Sequence, residues 1–367
     1  MNATKQATLR GLHEERGARF GEVNGAVLVM DYGDASAEHA ALRGAAGVID
    51  LSARGRVCLL GADRVRFLHG QVTNDVQRLR VGEGCYAALV SAKGRMISDL
   101  NIFVLPEELL LDFEPGLTRV VTERLEKYIV ADDVQVVDVA PHYGLVSVHG
   151  PKAGAVVQAA GWFDEVPAAP MRWVRSGGAA PGEIYLVCHP RVGLPGYDVF
   201  APVECLEAVA SRLLADAEAV GGKACGWIAF EVARVEAGIP RFGADMDARH
   251  LPPECGIEER AVSYRKGCYI GQEVLNRIHS IGHVNRRLCG LRVESGAAAT
   301  PARDQPLFKD GREVGRITSA VFSPTLQAHI ALGYVRRELA AVGTELALRT
   351  DAGEVLARVT EIPFVRP

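Results

Sequence analysis

An α+β fold that ends in a β-barrel is the class this sequence predicts, on three observations. Residues 51–139 read in the order β-α-β-β-α-β, which suits a small two-layer sandwich. Residues 140–202 continue as strands and lead into one long helix. From Arg286 onward, short strands are separated by Gly, Pro and Asp with no helix longer than a turn or two, the pattern of a barrel.

Residues 1–50 mix helical and extended patterns and run into GVIDLSARGRVCLLG, where Val57, Leu59 and Leu60 form a strand closed by Gly61. ADRVRFLHGQVTND is a helix: Asp63 places a carboxylate at its positive end, and Val65, Leu68 and Val72 recur at helical spacing. CYAALVSAKGRMISDLNIFVLPEELLLDFE is strand-rich, with a hairpin turn at Lys93-Gly94 and a break at Pro106. LTRVVTERLEKYIV sets Leu117, Val120, Val121, Leu125 and Ile129 on one helical face, and VQVVDV is a strand. YGLVSVHG, PGEIYLVCHP and GYDVFAP are strands, and PVECLEAVASRLLADAEAV is a helix. RRLCGLRV, PLFKDGREVGRITSAV, HIALGYV, ELALRT and EVLARVTEI supply the barrel. Two segments rich in Ala, Pro and Gly, 160–182 and 294–306, read as a loop and a domain linker.

Composition sets the outer limits. A chain of 367 residues with 48% hydrophobic and 23% charged residues is that of a folded protein of two or three domains, not of a disordered or fibrous one. The net charge of −4 excludes a globally basic nucleic-acid binder, so any anion site is local. The N-terminal stretch lacks the apolar centre of a signal peptide, and no apolar run is long enough for a membrane span, so a cytoplasmic location without membrane association is expected. Eight cysteines without a C-x-x-C speak against a disulfide framework, a zinc ribbon or a thioredoxin motif; most are read as buried apolar fillers.

The densest chemical signal is YRKGCYIGQEV, residues 264–274. Gly267 and Gly271 let the backbone adopt unusual conformations or approach a ligand, and Lys266 is placed to favour the thiolate of Cys268. Cys268 is read as a functional thiol, with Tyr269 a wall of the site and Gln272 and Glu273 orienting the loop by hydrogen bonds. The bland alternative is a glycine-punctuated turn around an inert cysteine. Between Arg260 and Arg292 seven basic residues face one acid, Glu273, a local +6. It suits a carboxylated cofactor tail or a phosphate backbone, against the alternative of a solvated basic face. Its two tyrosines, Tyr264 and Tyr269, are too few for base stacking. His279 and His283 lie four apart, but Gly282 interrupts the helix and no Glu accompanies them, so no metal site is assigned. No phosphate loop, dinucleotide fingerprint or G-x-S-x-G is present.

KGCYIGQE, residues 266–273, resembles the signature of the YgfZ-type folate-binding proteins, relatives of the glycine-cleavage aminomethyltransferase (T-protein). FLHGQVTNDVQRL, SAKGRMISDL, LEKYIV, ARVEAGIPRFGADMD, NRRLCGL and GRITSAVFSP resemble family segments in the same order over nearly the whole chain. The resemblance implies a three-domain ring or cloverleaf with tetrahydrofolate, or a formyl or methylene derivative, in a central opening. It implies a discontinuous folate-binding domain of residues 1–50 and 140–278, an inserted domain of 51–139, and a C-terminal barrel of 279–367. By the same resemblance Arg234 matches an arginine near the pterin, and Asp99 and Glu114 fall in the pterin neighbourhood, Glu114 where the family has an asparagine.

Two departures set the expected branch. Aminomethyltransferases carry a G-G-V-I-D-D-L type run whose first Asp handles the folate nitrogen; here the run is GRMISDL, with Ser98 in that place and Asp99 matching the second. Leu194 in RVGLPGYDV replaces a pterin-contacting Glu. A hydroxyl and an isobutyl group cannot do a carboxylate's work. The leading expectation is therefore a tetrahydrofolate-binding accessory protein that supports iron–sulfur enzymes, including those that thiolate tRNA, with those enzymes or their assembly factors as partners. The alternative is a folate-dependent aminomethyltransferase or other one-carbon transferase, and the third is direct tRNA binding by the basic run.

Overall fold

The computed structural model describes residues 3–294, 301–351 and 353–366, with residues 3–8 as backbone only. Its architecture is α+β with a closed C-terminal barrel. The first sheet is antiparallel and five-stranded, in the spatial order Gly84–Val90, Met96–Val104, Leu109–Phe113, Gly55–Leu60, Gln135–Asp138. Helices Arg64–Gln71 and Thr118–Glu126 cover one face, burying Val57, Leu59, Phe67, Leu68, Leu100, Ile102, Leu111, Val121 and Leu125 in one core. The element order is therefore β-α-β-β-β-α-β, one strand more than the sequence reading gave. Pro106 is not a break in a single strand: Leu105 N–H bonds Glu108 O at 2.9 Å, and this turn folds Leu109–Phe113 back beside Met96–Val104.

The second sheet has six strands in the order Trp173–Arg175, Tyr185–Cys188, Gly196–Pro202, Tyr143–His149, Gly47–Asp50, Lys223–Ala224, all antiparallel except the last pair. Strand alternation sorts its side chains. Val146 and Val148 face the helices Ala153–Ala159 and Leu206–Ala219, whereas Leu145 and Phe200 face the helix Trp227–Glu236. The segment 160–182, expected as a loop, contains the edge strand Trp173–Arg175, whose three residues are too few to show an alternation in sequence.

The barrel closes in the order Arg286–Glu294, Ala328–Arg336, Arg312–Ser323, Pro306–Lys309, Glu345–Thr350, Gly353–Thr360 around Leu291, Ile317, Ala331, Val335 and Leu348. Of the expected linker 294–306, residues 295–300 lie outside the described residues. Buried polar groups fasten the barrel to the second sheet's helices. Glu236, wholly buried, accepts from Ser323 Oγ at 2.5 Å and faces His39 Nε2 at 3.0 Å. No helix among the described residues is long and apolar enough to cross a membrane.

Candidate functional site

A cleft of about 490 Å³ opens where the two sheets and the helix Trp227–Glu236 meet. The strand Met96–Val104 decides which side chains reach it. From Ser98 onward the strand alternates: Ser98, Leu100 and Ile102 point under the covering helices and are wholly buried, while Asp99 and Asn101 line the cleft. The Ser98 hydroxyl donates to the Asp99 carbonyl at 2.9 Å and does not reach the cleft lining. The weight the sequence reading placed on Ser98 therefore needs correction: the residue on the cleft side is Asp99, and it is a carboxylate. Tyr86, from the neighbouring strand, donates its hydroxyl to Asp99 Oδ2 at 2.9 Å. Burial, reinforced by the nearby charge of Glu114, pushes the Asp99 carboxyl up to about 6.

Behind Asp99 lies a braced set of charges. Arg54 grips Asp112 with two parallel bonds, Nε to Oδ1 at 2.9 Å and Nη2 to Oδ2 at 3.0 Å, and also donates to Glu114. Arg191 joins Asp112 to Asp198, and Asn101 donates to Asp112 at 2.9 Å. Glu114 in turn receives Arg241 at 3.2 Å; Arg241 also pairs with Glu231 and lies over the Trp227 ring at 5.0 Å. Coulombic attraction to Arg54 and Arg191 outweighs desolvation and holds Asp112 well below the usual carboxylate range. Arg54, Asp112, Arg191, Glu231 and Arg241 were not singled out in the sequence. Asp112 alone carried a signal, a single acid in the apolar run LLLDF.

Arg234 lines the cleft but serves the framework. All five of its N–H groups are engaged: Nε and Nη2 on Glu231, Nη1 on Asp245 at 2.7 Å and on the Ile239 carbonyl, and Nη2 also on Ser319 Oγ at 2.8 Å. Its donors are all taken within the protein, so at the cleft wall it acts as a positioning residue. Leu194 is buried with Phe230 and Phe200 in the apolar core behind the cleft.

No residue of the 266–273 motif lines the cleft. Lys266 is buried, and its ammonium donates to the carbonyls of Val72 at 2.7 Å, Asn74 at 3.0 Å and His69, the end of the helix Arg64–Gln71. Burial lowers it to about 8. The amine turns inward as a tie between segments rather than serving the Cys268 thiol. Tyr269 is buried with its ring 4.8 Å from that ammonium. Gly271 has φ +87°, and a Cβ there would meet Ser91 O at 2.6 Å, so the motif is clamped against the hairpin turn at Lys93-Gly94. Gln272 and Glu273 open the helix Gln272–Ser280, and among the described residues neither side chain makes the expected loop-orienting bond. Gly267 and Cys268 are exposed, whereas Cys58, Cys188, Cys205, Cys225, Cys255 and Cys289 are buried.

The basic run does not converge on one site. Arg260 reaches the cleft, exposed, with its guanidinium 5.3 Å from the Tyr86 ring; Arg286 pairs with Glu254, and Arg287 and Arg292 lie on a barrel strand. His279 stacks on Tyr264 with ring centroids 3.7 Å apart.

Residues 9–266 match the model of the GCVT N-terminal domain, and residues 286–366 match that of the glycine cleavage T-protein C-terminal barrel domain. The aminomethyltransferase of Geobacillus kaustophilus is 28% identical over 367 residues, with 99% of each chain covered. A probable aminomethyltransferase of Halobacterium salinarum is 31% identical, with 98% of this chain and 99% of the relative covered. The crystal structure of the glycine cleavage system aminomethyltransferase T from Bartonella henselae superposes with a TM-score of 0.89 at 24% identity, covering 98% of this chain and 97% of that one, a likeness of fold.

Proposed function

Because the chain belongs to the glycine cleavage T-protein family, we propose that it is a folate-dependent one-carbon transferase of the aminomethyl type, with Asp99 as its central acid–base group. The observation that carries this is the direction of Asp99: alternation along Met96–Val104 aims it into the cleft and turns Ser98 away. Of the two departures that favour an accessory role, Ser98 points away from the cleft, and Leu194 lies in the apolar core behind it.

The lining suits tetrahydrofolate. Tyr86, Met171 and Phe230 offer apolar surface to a flat ring, Asp99 offers an acceptor to its N–H groups, and Arg260 offers an exposed cation to a carboxylate tail. Tetrahydrofolate supplies the nitrogen nucleophiles that carry the one-carbon unit. Asp99, with a carboxyl near 6, can hold or release a proton close to neutral pH, which is what a general acid–base group requires. Tyr86 fixes one of its oxygens, and the Arg54–Glu114–Arg241 brace keeps the surrounding charge from moving. The test pairs calorimetry of tetrahydrofolate with a transfer assay on an aminomethyl donor: binding with turnover supports the proposal, and binding without turnover sinks it.

A second reading rests on the exposed Cys268. In the YgfZ-type accessory role, the 266–273 motif presents its thiol to an iron–sulfur enzyme or assembly factor. Loss of iron–sulfur enzyme activity after deletion, restored by the wild-type chain and not by Cys268→Ala, would favour it. Either reading divides the chain as 1–50 with 140–278, 51–139, and 279–367. Pairing of Gly47–Asp50 with Tyr143–His149 across the insert supports the first two, and the last boundary falls within Gln272–Ser280.

A further inference from the structure

His189 is a cleft residue to which nothing above gives a role. It follows the strand Tyr185–Cys188, and the next residue, Pro190, also lines the cleft. Its Nδ1 lies 2.9 Å from Asp198 Oδ2. Asp198 is wholly buried and also accepts from Arg191 Nε at 2.9 Å and from the Ser147 hydroxyl at 2.6 Å. A carboxylate surrounded by donors is ionised and only accepts, so the hydrogen between the two belongs to Nδ1. Neutral imidazole carries one N–H, which leaves Nε2 with its lone pair. Among the described residues no group is bonded to Nε2, and the ring retains 13% exposure on the cleft side.

The arrangement is a carboxylate-oriented imidazole in the cleft lining, held in one tautomer with Nε2 left unbonded. His149, on the same sheet, shows the contrast: Nε2 meets Ser147 Oγ at 2.8 Å, and Nδ1 is sealed in the interior without a partner. The charged groups facing His189 are Arg191, Asp198 and Asp112; burial first, then Arg191, lowers its proton affinity against the pull of Asp198. The ring is thus neutral at neutral pH, the form that accepts a proton.

We propose that His189 is a second proton-transfer group of the cleft, whose Nε2 receives the proton from the carrier nitrogen during one-carbon transfer. This rests on the transferase reading. As the nitrogen lone pair forms its bond to the one-carbon unit, the bond from that carbon to the donor breaks with its electron pair left on the donor. The proton on nitrogen passes to His189 Nε2, and from there to the departing donor group or to water. Asp198 is a positioning residue: it fixes the tautomer and stabilises the imidazolium that forms.

The test uses the full chain labelled with ¹⁵N-histidine, the signal of His189 among the ten histidines being assigned by its loss in His189→Gln. Nε2 is expected to give the signal of an unprotonated nitrogen at pH 7 and to shift when tetrahydrofolate is added. His189→Gln is expected to keep tetrahydrofolate binding and to slow transfer about 100-fold. A His189 signal unmoved by millimolar tetrahydrofolate overturns the proposal, as does wild-type transfer by His189→Gln. A wild-type chain that transfers nothing defeats the transferase reading on its own; the Nε2 signal then still decides whether His189 receives a ligand proton.

Discussion

Asp99 shows how one side chain's direction changes a functional reading. A family run compared letter by letter places Ser98 where a carboxylate belongs, but a strand has two faces, and only residues of one parity reach the cleft. The cost of that placement is measurable. A carboxyl whose pKa is raised to about 6 in the folded chain, from about 3.9 unfolded, binds its proton more tightly when folded, so this group subtracts stability as pH rises through that window. Asp99→Asn is expected to stabilise the protein by about 1–2 kcal/mol at neutral pH, with the gain vanishing near pH 4, by denaturant unfolding at both pH values. Arg234 gives the opposite case. Arg234→Ala would leave the buried Asp245 without its cation and Glu231 with Arg241 alone, so a loss of about 3–5 kcal/mol is expected, far larger than any direct effect on ligand affinity. Equal stability of Arg234→Ala and wild type, with weakened folate binding, would restore it to the ligand.

At the scale of elements, the 266–273 motif is a fastening between segments as much as an exposed thiol. Gly271 is required there twice, for its positive φ and for the close approach of Ser91 O, so Gly271→Ala is expected to cost about 2–4 kcal/mol, readable in the urea midpoint. A change within 0.5 kcal/mol would mean the clamp yields freely. Much of this scale was legible in sequence, because helical spacing, the Lys-Gly turn and the Gly- and Pro-punctuated barrel strands are local signals. The extra strand Leu109–Phe113 was lost because a proline turn and a proline break look alike until pairing is known. The cleft was harder still. Arg54, Asp112, Arg191 and Arg241 are far apart in the chain, and an arginine on a solvated surface has the same letter as one braced between two buried carboxylates. Lys266 was noticed for its neighbour Cys268, yet its partners are carbonyls some 190 residues earlier.

Across the whole molecule, buried titratable groups join the sheets and the barrel, and they set an acid limit. His149 is pushed down to about 3 and His69 and His189 are lowered, chiefly by burial, so each favours the neutral folded form and loses stability as pH falls below about 6.5. Asp112, Asp198, Glu231 and Glu236 are all lowered by their partners, so their stabilisation is present above the unfolded carboxylate range and lost as pH drops through the folded values. Asp99 and Glu38, whose carboxyls burial raises, act in the opposite sense, but they are outnumbered. Thermal unfolding midpoints are therefore expected to decline from about pH 6.5 downward and steeply below about pH 4; a midpoint that is flat or rises between pH 6.5 and 4 would contradict this. The measurement closest to the proposed function is aminomethyl transfer to tetrahydrofolate by the wild-type chain and by Asp99→Asn, with calorimetry of tetrahydrofolate on both. The expected result is turnover by the wild type, a loss of about 100-fold or more in Asp99→Asn, and binding by both proteins. Folate binding with no turnover by the wild type, or equal turnover by the two, would contradict a transferase built on Asp99.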